Sequence, residues 1–398
     1  MLGLIGTTTV AGAAFLLVRG GVDPDESFVL RADVPASSEG FALALRQSLG
    51  VELRPGHRLE LLDNGRVFDA LVKELNGAQS SMHLLLYIWE RGAASDRVVS
   101  ALIARARAGV ACRILVDSFG SPKFGEEVEK PLVAAGCEVR IFRPSPSDKL
   151  ARNHRKIVVV DGRVGFTGGF GIRDDWLGDG VHDERWRDTN VLFAGPAVQS
   201  AQQAFAENWQ EAGGQLLPIE AFPEPLPVSE SGTRGASDGT ALAAFVSSSA
   251  SPSVTRAERL TQLLISSARK RLWIANAYFV PSRAILDLLA RKASEGVDVR
   301  ILVPGKKSDS KTSFGVQQFE YGSLLDRGVR VWEYQPSMMH SKSMVIDQNR
   351  GVIGSVNLEP LSLRKLEEGA LVFESPALAR ALTLAFEQDC SRAQELKR

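Results

Sequence analysis

The chain is predicted to be α/β, built as two tandem α/β domains. Three observations carry that expectation. Four stretches recur in the same order at nearly one offset, about 186 residues. Short apolar runs rich in β-branched residues alternate with helical patterns in both copies. Each copy also carries the polar motif H-x-K-x4-D ahead of a Gly-rich turn.

The recurring stretches pair 109–116 with 296–303 and 136–142 with 328–334. His154, Lys156 and Asp161 pair with His340, Lys342 and Asp347, and 187–197 pairs with 367–377. Such a long period marks a duplicated domain rather than a solenoid. Residues 82–89 and 272–280 read as the buried strands that open each unit. Residues 96–108 and 282–295 show helical spacing, and each is followed by a glycine that can end a helix. The runs 113–116, 300–303, 157–160 and 343–346 fit interior strands. The domains are expected at 23–215 and 241–398. Between them, 216–240 holds Pro218, Pro223, Pro225, Pro227, Gly232 and Gly235 and reads as a linker.

Composition narrows the class. The chain has 398 residues, 44% hydrophobic and 24% charged, which excludes a disordered chain, a collagen and a polytopic membrane protein. Basic and acidic residues balance at 47 each, so bulk charge gives no reason to expect nucleic acid as a partner. Cys112, Cys137 and Cys390 are too few and too scattered for a disulfide framework or a zinc site. Residues 1–18 carry no charge. The segment 1–22 is expected to be a membrane anchor, with a signal peptide and a plain terminus as the alternatives.

The motif carries the chemistry. Alternate residues of a strand share a face, so His and Lys at i and i+2 can address one ligand. The aspartate, seven residues past the histidine, has the opposite parity and suits a supporting role, but as part of the recurring motif Asp161 and Asp347 are counted in the catalytic set with His154, Lys156, His340 and Lys342. The turns that follow hold Gly168-Gly169-Phe170-Gly171 and Gly354-Ser355-Val356-Asn357. Gly168, Gly169, Ser355 and Asn357 are the candidate substrate-binding residues, since such a turn lets backbone N–H groups approach an anion. This constellation suits a phosphodiester. Lys156 and Lys342 would hold its oxygens, one imidazole would attack phosphorus, and the other would protonate the leaving alcohol. Asp188 and Glu368, at equivalent places downstream, are the candidate carboxylates that fix the tautomers. The chemistry needs no cofactor or metal. His57 and His83 read as structural, and His182 as a solvated loop residue. The charged run around Lys306, Lys307, Asp309 and Lys311 follows a strand end, where α/β proteins often bind ligands.

The paired motifs resemble those of the phospholipase D superfamily, and more narrowly the bacterial cardiolipin synthases. Residues 61–65, 186–190, 277–281 and 334–340 resemble that subfamily as well. The resemblance implies a pseudo-twofold monomer whose active site lies at the domain interface. It also implies transfer of a phosphatidyl group from phosphatidylglycerol to a lipid alcohol through a covalent phosphohistidine, at a bacterial cell membrane. The partners would be a phospholipid and the membrane surface. His154 is the favoured nucleophile and His340 the acid/base, although the internal symmetry does not assign the roles. Two alternatives stay open: a phosphodiesterase or nuclease using water, and a non-catalytic lipid-binding scaffold. Such families usually carry Gly-Ser-x-Asn after each motif; the first copy has Gly169 and Gly171 instead. Leu366 and Ala370 stand where asparagines are often found.

Overall fold

The computed structural model describes residues 28–30, 34, 37–144, 152–182, 184–224, 241–251 and 253–398. The apolar segment 1–22 and most of the 216–240 stretch lie outside them. Among the described residues no helix is long and apolar enough to cross a membrane.

Helix α1 (Ser38–Leu49) leads into the first half: β1 (Arg54–Asp63), α2 (Arg66–Gly77), β2 (Ser81–Leu86), α3 (Ala93–Arg107), β3 (Ala111–Asp117), α4 (Glu126–Ala134), β4 (Glu138–Phe142), β5 (Ile157–Val160), β6 (Val164–Gly168), β7 (Thr189–Ala194) and α5 (Ala197–Glu211). The second half repeats the order: β8 (Ala241–Ser248), α6 (Arg256–Ser267), β9 (Arg271–Asn276), α7 (Arg283–Ser294), β10 (Asp298–Pro304), α8 (Lys311–Leu325), β11 (Arg330–Tyr334), β12 (Lys342–Ile346), β13 (Arg350–Gly354), α9 (Pro360–Arg364), β14 (Glu368–Glu374), α10 (Pro376–Cys390) and β15 (Ala393–Glu395).

Local chemistry accounts for the boundaries. Thr255 accepts the Glu258 N–H at 3.1 Å and caps α6. Gly109 and Gly296 follow α3 and α7 with φ of +88° and +86°, the left-handed turn that ends a helix most cheaply in glycine. β2, β5, β12 and β13 are buried along their whole length, as expected of strands covered on both faces.

All strands join one mixed sheet in the order β15-β11-β10-β9-β12-β13-β14-β8-β1-β7-β6-β5-β2-β3-β4. Read outward from the β1–β8 seam, the two halves have the same order, which is the pseudo-twofold arrangement. β2, β3 and β4 are parallel, as are β9, β10 and β11, and the connections between them run through helices.

Each unit opens one strand earlier than the apolar runs suggested. β1 mixes Arg54, His57, Arg58 and Glu60 with buried Leu59 and Leu62. β8 is mostly small residues. β1 lacks the long apolar run that marks a central strand, and the run of β8 (241–246) is rich in alanine; together they form the seam, with His57 opposite Ala241. Helices α5 and α10 cover one face of the whole sheet. Their core holds Phe193 and Phe205 from the first half and Phe245, Trp273 and Phe386 from the second. The other face has a separate core in each half.

Candidate active site

The segments just ahead of β5 and β12 cross to the opposite half. Asn153 forms a β-bridge with Glu367, and Arg187 with Met339. The His154 N–H donates to the Glu367 carbonyl at 2.8 Å, and the His340 N–H to the Arg187 carbonyl at 2.7 Å. Glu367 precedes Glu368 and Arg187 precedes Asp188. Each bridge therefore delivers a carboxylate to the histidine of the other half. His154 Nδ1 lies 3.0 and 3.1 Å from the two Glu368 oxygens. His340 Nδ1 lies 3.4 Å from Asp188 Oδ2. The sequence points to both carboxylates, and the structure shows that the pairs are crossed.

The two carboxylates are held by different donors. Glu368 accepts from the hydroxyls of Ser355 and Ser362. Asp188 accepts from the Trp176 indole N–H at 2.6 Å and the Thr189 N–H at 2.7 Å. β6 and β13 end at equivalent glycines, with Gly168 opposite Asn190 and Gly354 opposite Ala370. Counting on from there sets Gly169 against Ser355 and Trp176 against Ser362. The indole of one half thus does what a serine hydroxyl does in the other. A Cβ at Gly169 would meet Asp188 Oδ1 at 2.4 Å, so a second serine has no room there. Nothing in the local sequence around Trp176 marks it as a site residue. Its signal was its repeat position opposite a serine.

Burial and charge set the protonation states. The four site groups His154, Lys156, His340 and Lys342 are all buried. Burial pulls His154 down to about 4, against the Glu368 charge and with help from Lys156 and Lys342. His340 is pulled well below the ordinary imidazole value by burial, then by Lys342 and Lys156. Both rings are therefore neutral at neutral pH. Burial also pulls Lys156 well down, and Lys342 to about 8 despite the Asp188 charge. Burial lifts Asp188 to about 6, opposed by Lys342 and the Trp176 N–H. Burial acts in the same sense on Glu368, but His154, Lys156 and Ser355 outweigh it and hold it below the usual carboxylate range. Each lysine Nζ donates at 2.6 Å to the carbonyl of its own motif histidine, and Lys342 Nζ also lies 2.9 Å from His340 Nδ1. Two buried lysines with donors to spare favour an anion between them, and an anion there in turn favours their charged forms.

Aromatic rings wall the site. Tyr87 sits edge-on to His154 at 4.7 Å. Trp176, Trp186 and Tyr278 surround His340 at 5.2, 5.0 and 6.2 Å.

Several expected site residues have other work. Asp161 and Asp347 are not brought to the histidines, so counting them as catalytic is corrected. They lie at the far ends of β5 and β12, with φ of +53° and +52°. Asp161 accepts the backbone N–H groups of Gln79, Ser80 and Ser81. Asp347 accepts those of Arg269, Lys270 and Arg271. Each fastens the entry to the next strand of its half. Gly168 and Gly169 admit Asn190 and Asp188 at close range, and Ser355 spends its hydroxyl on Glu368. The Asn357 Oδ1 is buried and accepts no hydrogen bond among the described residues. Of the other histidines, His57 accepts the Ala197 N–H, His83 contacts Gln202, and His182 pairs with Asp179 in the open.

Changing Trp176 to Phe keeps the ring and removes the donor. A hydrogen bond to a charged group contributes about 1.5–3 kcal/mol, so kcat should fall at least about tenfold. The lost N–H favoured the ionised carboxylate, so the acid limb of kcat/KM should move to higher pH. Pre-steady-state and pH-dependent rates of the folded variant check both.

Two neutral imidazoles with crossed carboxylates and two buried lysines, at the seam of a duplicated α/β sheet, define a phospholipase D-like site. The model of the cardiolipin synthase, PLD-like domain matches residues 71–209 and 262–390. The chain belongs to this cardiolipin synthase family within the phospholipase D superfamily. It is 31% identical over 386 residues to a cardiolipin synthase of Geobacillus kaustophilus, covering 90% of this chain and 75% of that one. Against a cardiolipin synthase of Geobacillus thermodenitrificans it is 34% identical, covering 75% and 59%. Against cardiolipin synthase 2 of Bacillus cereus it is 33% identical, covering 84% and 65%. The chain therefore spans less than two thirds of the length of some relatives. The fold is also that of a phosphatidylserine synthase from Haemophilus influenzae, with a TM-score of 0.68 at 13% identity over 90% of this chain and 92% of that one.

Proposed function

We propose that the chain transfers a phosphatidyl group from phosphatidylglycerol to a lipid alcohol at a membrane surface, releasing glycerol and forming cardiolipin. The crossed pairing of His154 with Glu368 and His340 with Asp188 supports this reading, because each histidine depends on the other half, as a single shared centre would require. With Nδ1 turned to Glu368, His154 offers Nε2 as the nucleophile. Nε2 attacks phosphorus, the P–O bond to glycerol breaks, and His340 gives that oxygen a proton. The bound phosphodiester offsets the lysine charges that hold His340 neutral, so substrate binding itself favours the imidazolium. In the second step His340 takes the proton of the acceptor hydroxyl, whose oxygen displaces His154. Lys156 and Lys342 stabilise the charge on the non-bridging oxygens throughout.

Phosphatidylglycerol vesicles incubated with the protein should yield cardiolipin by mass spectrometry. Phosphatidic acid alone would indicate a hydrolase, and no change would refute the reading. The kcat/KM profile reports groups of the free enzyme. It should fall below about pH 6, as Asp188 gains a proton, and above about pH 8, as Lys342 loses one.

A further inference from the structure

The repeat that sets Trp176 against Ser362 also sets Arg173 against Glu359, a reversal of charge beside one site. The two are used differently. Arg173 is committed: it pairs with Asp175, lies 3.7 Å from Glu90, and stacks over the Trp176 and Trp186 rings. Glu359 is 92% buried by its 8% exposure, yet no hydrogen bond or ion pair holds its carboxyl among the described residues. It occupies the N-cap of α9, where an acidic side chain ordinarily bonds the helix N–H groups, and makes no such bond.

The surroundings of Glu359 are those of the site. Lys342 and Arg152 attract its charge, and Glu368 and Asp309 repel it. Its charge is also felt by the Tyr278 phenol. That tyrosine lies 5.8 Å from Lys342 Nζ and donates to both Asp309 oxygens at 2.8 and 2.9 Å. It ties the charged loop after β10 to the wall around His340. Two residues before Glu359, the buried Asn357 Oδ1 also waits for a donor. Burial, with Glu368 adding to it, pushes Glu359 up to about 8. A neutral carboxyl both donates and accepts, which matches a hydroxyl group.

We infer that Glu359, with Asn357 and the Tyr278–Asp309 pair, forms a headgroup subsite that receives the hydroxyl groups of a polyol acceptor and so favours transfer over hydrolysis. The inference rests on the proposed phosphatidyl transfer and names the group that selects the acceptor. Water gains nothing from the subsite, whereas a glycerol headgroup is held by it beside His340.

Wild type, Glu359→Gln and Glu359→Leu are compared on phosphatidylglycerol vesicles with and without phosphatidylethanolamine, with cardiolipin and phosphatidic acid measured together. Glu359→Leu should lower the cardiolipin-to-phosphatidic-acid ratio about tenfold, the weight of one buried hydrogen bond. Glu359→Gln, which keeps a donor and an acceptor, should stay within about threefold of wild type. An unchanged ratio in Glu359→Leu, whatever its overall rate, overturns the inference. So does wild-type use of the ethanolamine lipid that is lost in Glu359→Gln, because the carboxylate would then be reading an ammonium. A wild type that forms neither product refutes the transfer reading itself, and the subsite with it.

Discussion

His154→Ala should abolish turnover, and His340→Ala should stall it at a later point. The two motifs are alike in sequence, but their surroundings make the variants distinguishable. His154 has an ionised carboxylate close against Nδ1. His340 has a carboxylate at longer range and an ammonium group 2.9 Å away. Loss of a nucleophile removes the covalent route, a cost of about 10⁴-fold or more. Loss of a general acid costs about 10²–10⁴-fold, and least where the leaving group needs no proton. A phosphatidyl ester of 4-nitrophenol separates the two. His340→Ala should release one equivalent of nitrophenol in a burst and keep the phosphatidyl group on His154, while His154→Ala should show neither. The reverse pattern would exchange the roles. Near-normal turnover of phosphatidylglycerol by either variant would end the two-histidine mechanism.

Much of this was legible in the chain because duplication writes the same constraint twice. His154 and His340 stood out by recurring, and the alternation of apolar runs and helical patterns gave the α/β class. The helix-ending glycines at 109 and 296 adopt the left-handed turn that their place required. Three things were not legible, each for a physical reason. The crossing of the carboxylates depends on bridges between residues more than 150 positions apart, Asn153 with Glu367 and Arg187 with Met339, and no local pattern encodes them. The seam strands carry a weak signal because β1 interleaves charged with apolar residues and the apolar run of β8 is rich in alanine rather than in β-branched residues. Trp176 carries no signal of its own, since an indole is mostly apolar surface. Its single N–H does the work, and only the repeat alignment with Ser362 reveals it. The aspartates of the motifs mislead in the opposite sense. They recur as faithfully as the histidines, but what recurs is a strand entry that needs its N–H groups satisfied.

Glu368→Gln tests the crossing directly. If each histidine were served by its own half, a change in the second half would impair His340. In the structure Glu368 holds His154. Its charge keeps the proton on Nδ1, and the hydroxyls of Ser355 and Ser362 fix its place. An amide can present its NH2 to Nδ1 and turn the ring to the wrong tautomer. In a serine protease triad the matching Asp→Asn change costs about 10⁴-fold, and a loss of about 10³-fold or more is expected here. With the nitrophenyl ester, Glu368→Gln should suppress the burst. Asp188→Asn should spare the burst and slow its decay, because it touches only the half-site that handles the protons. The result would be a first-half nucleophile silenced by a second-half substitution, which no arrangement of two independent domains produces. A burst lost in Asp188→Asn and kept in Glu368→Gln would show that the carboxylates serve the other histidines in solution.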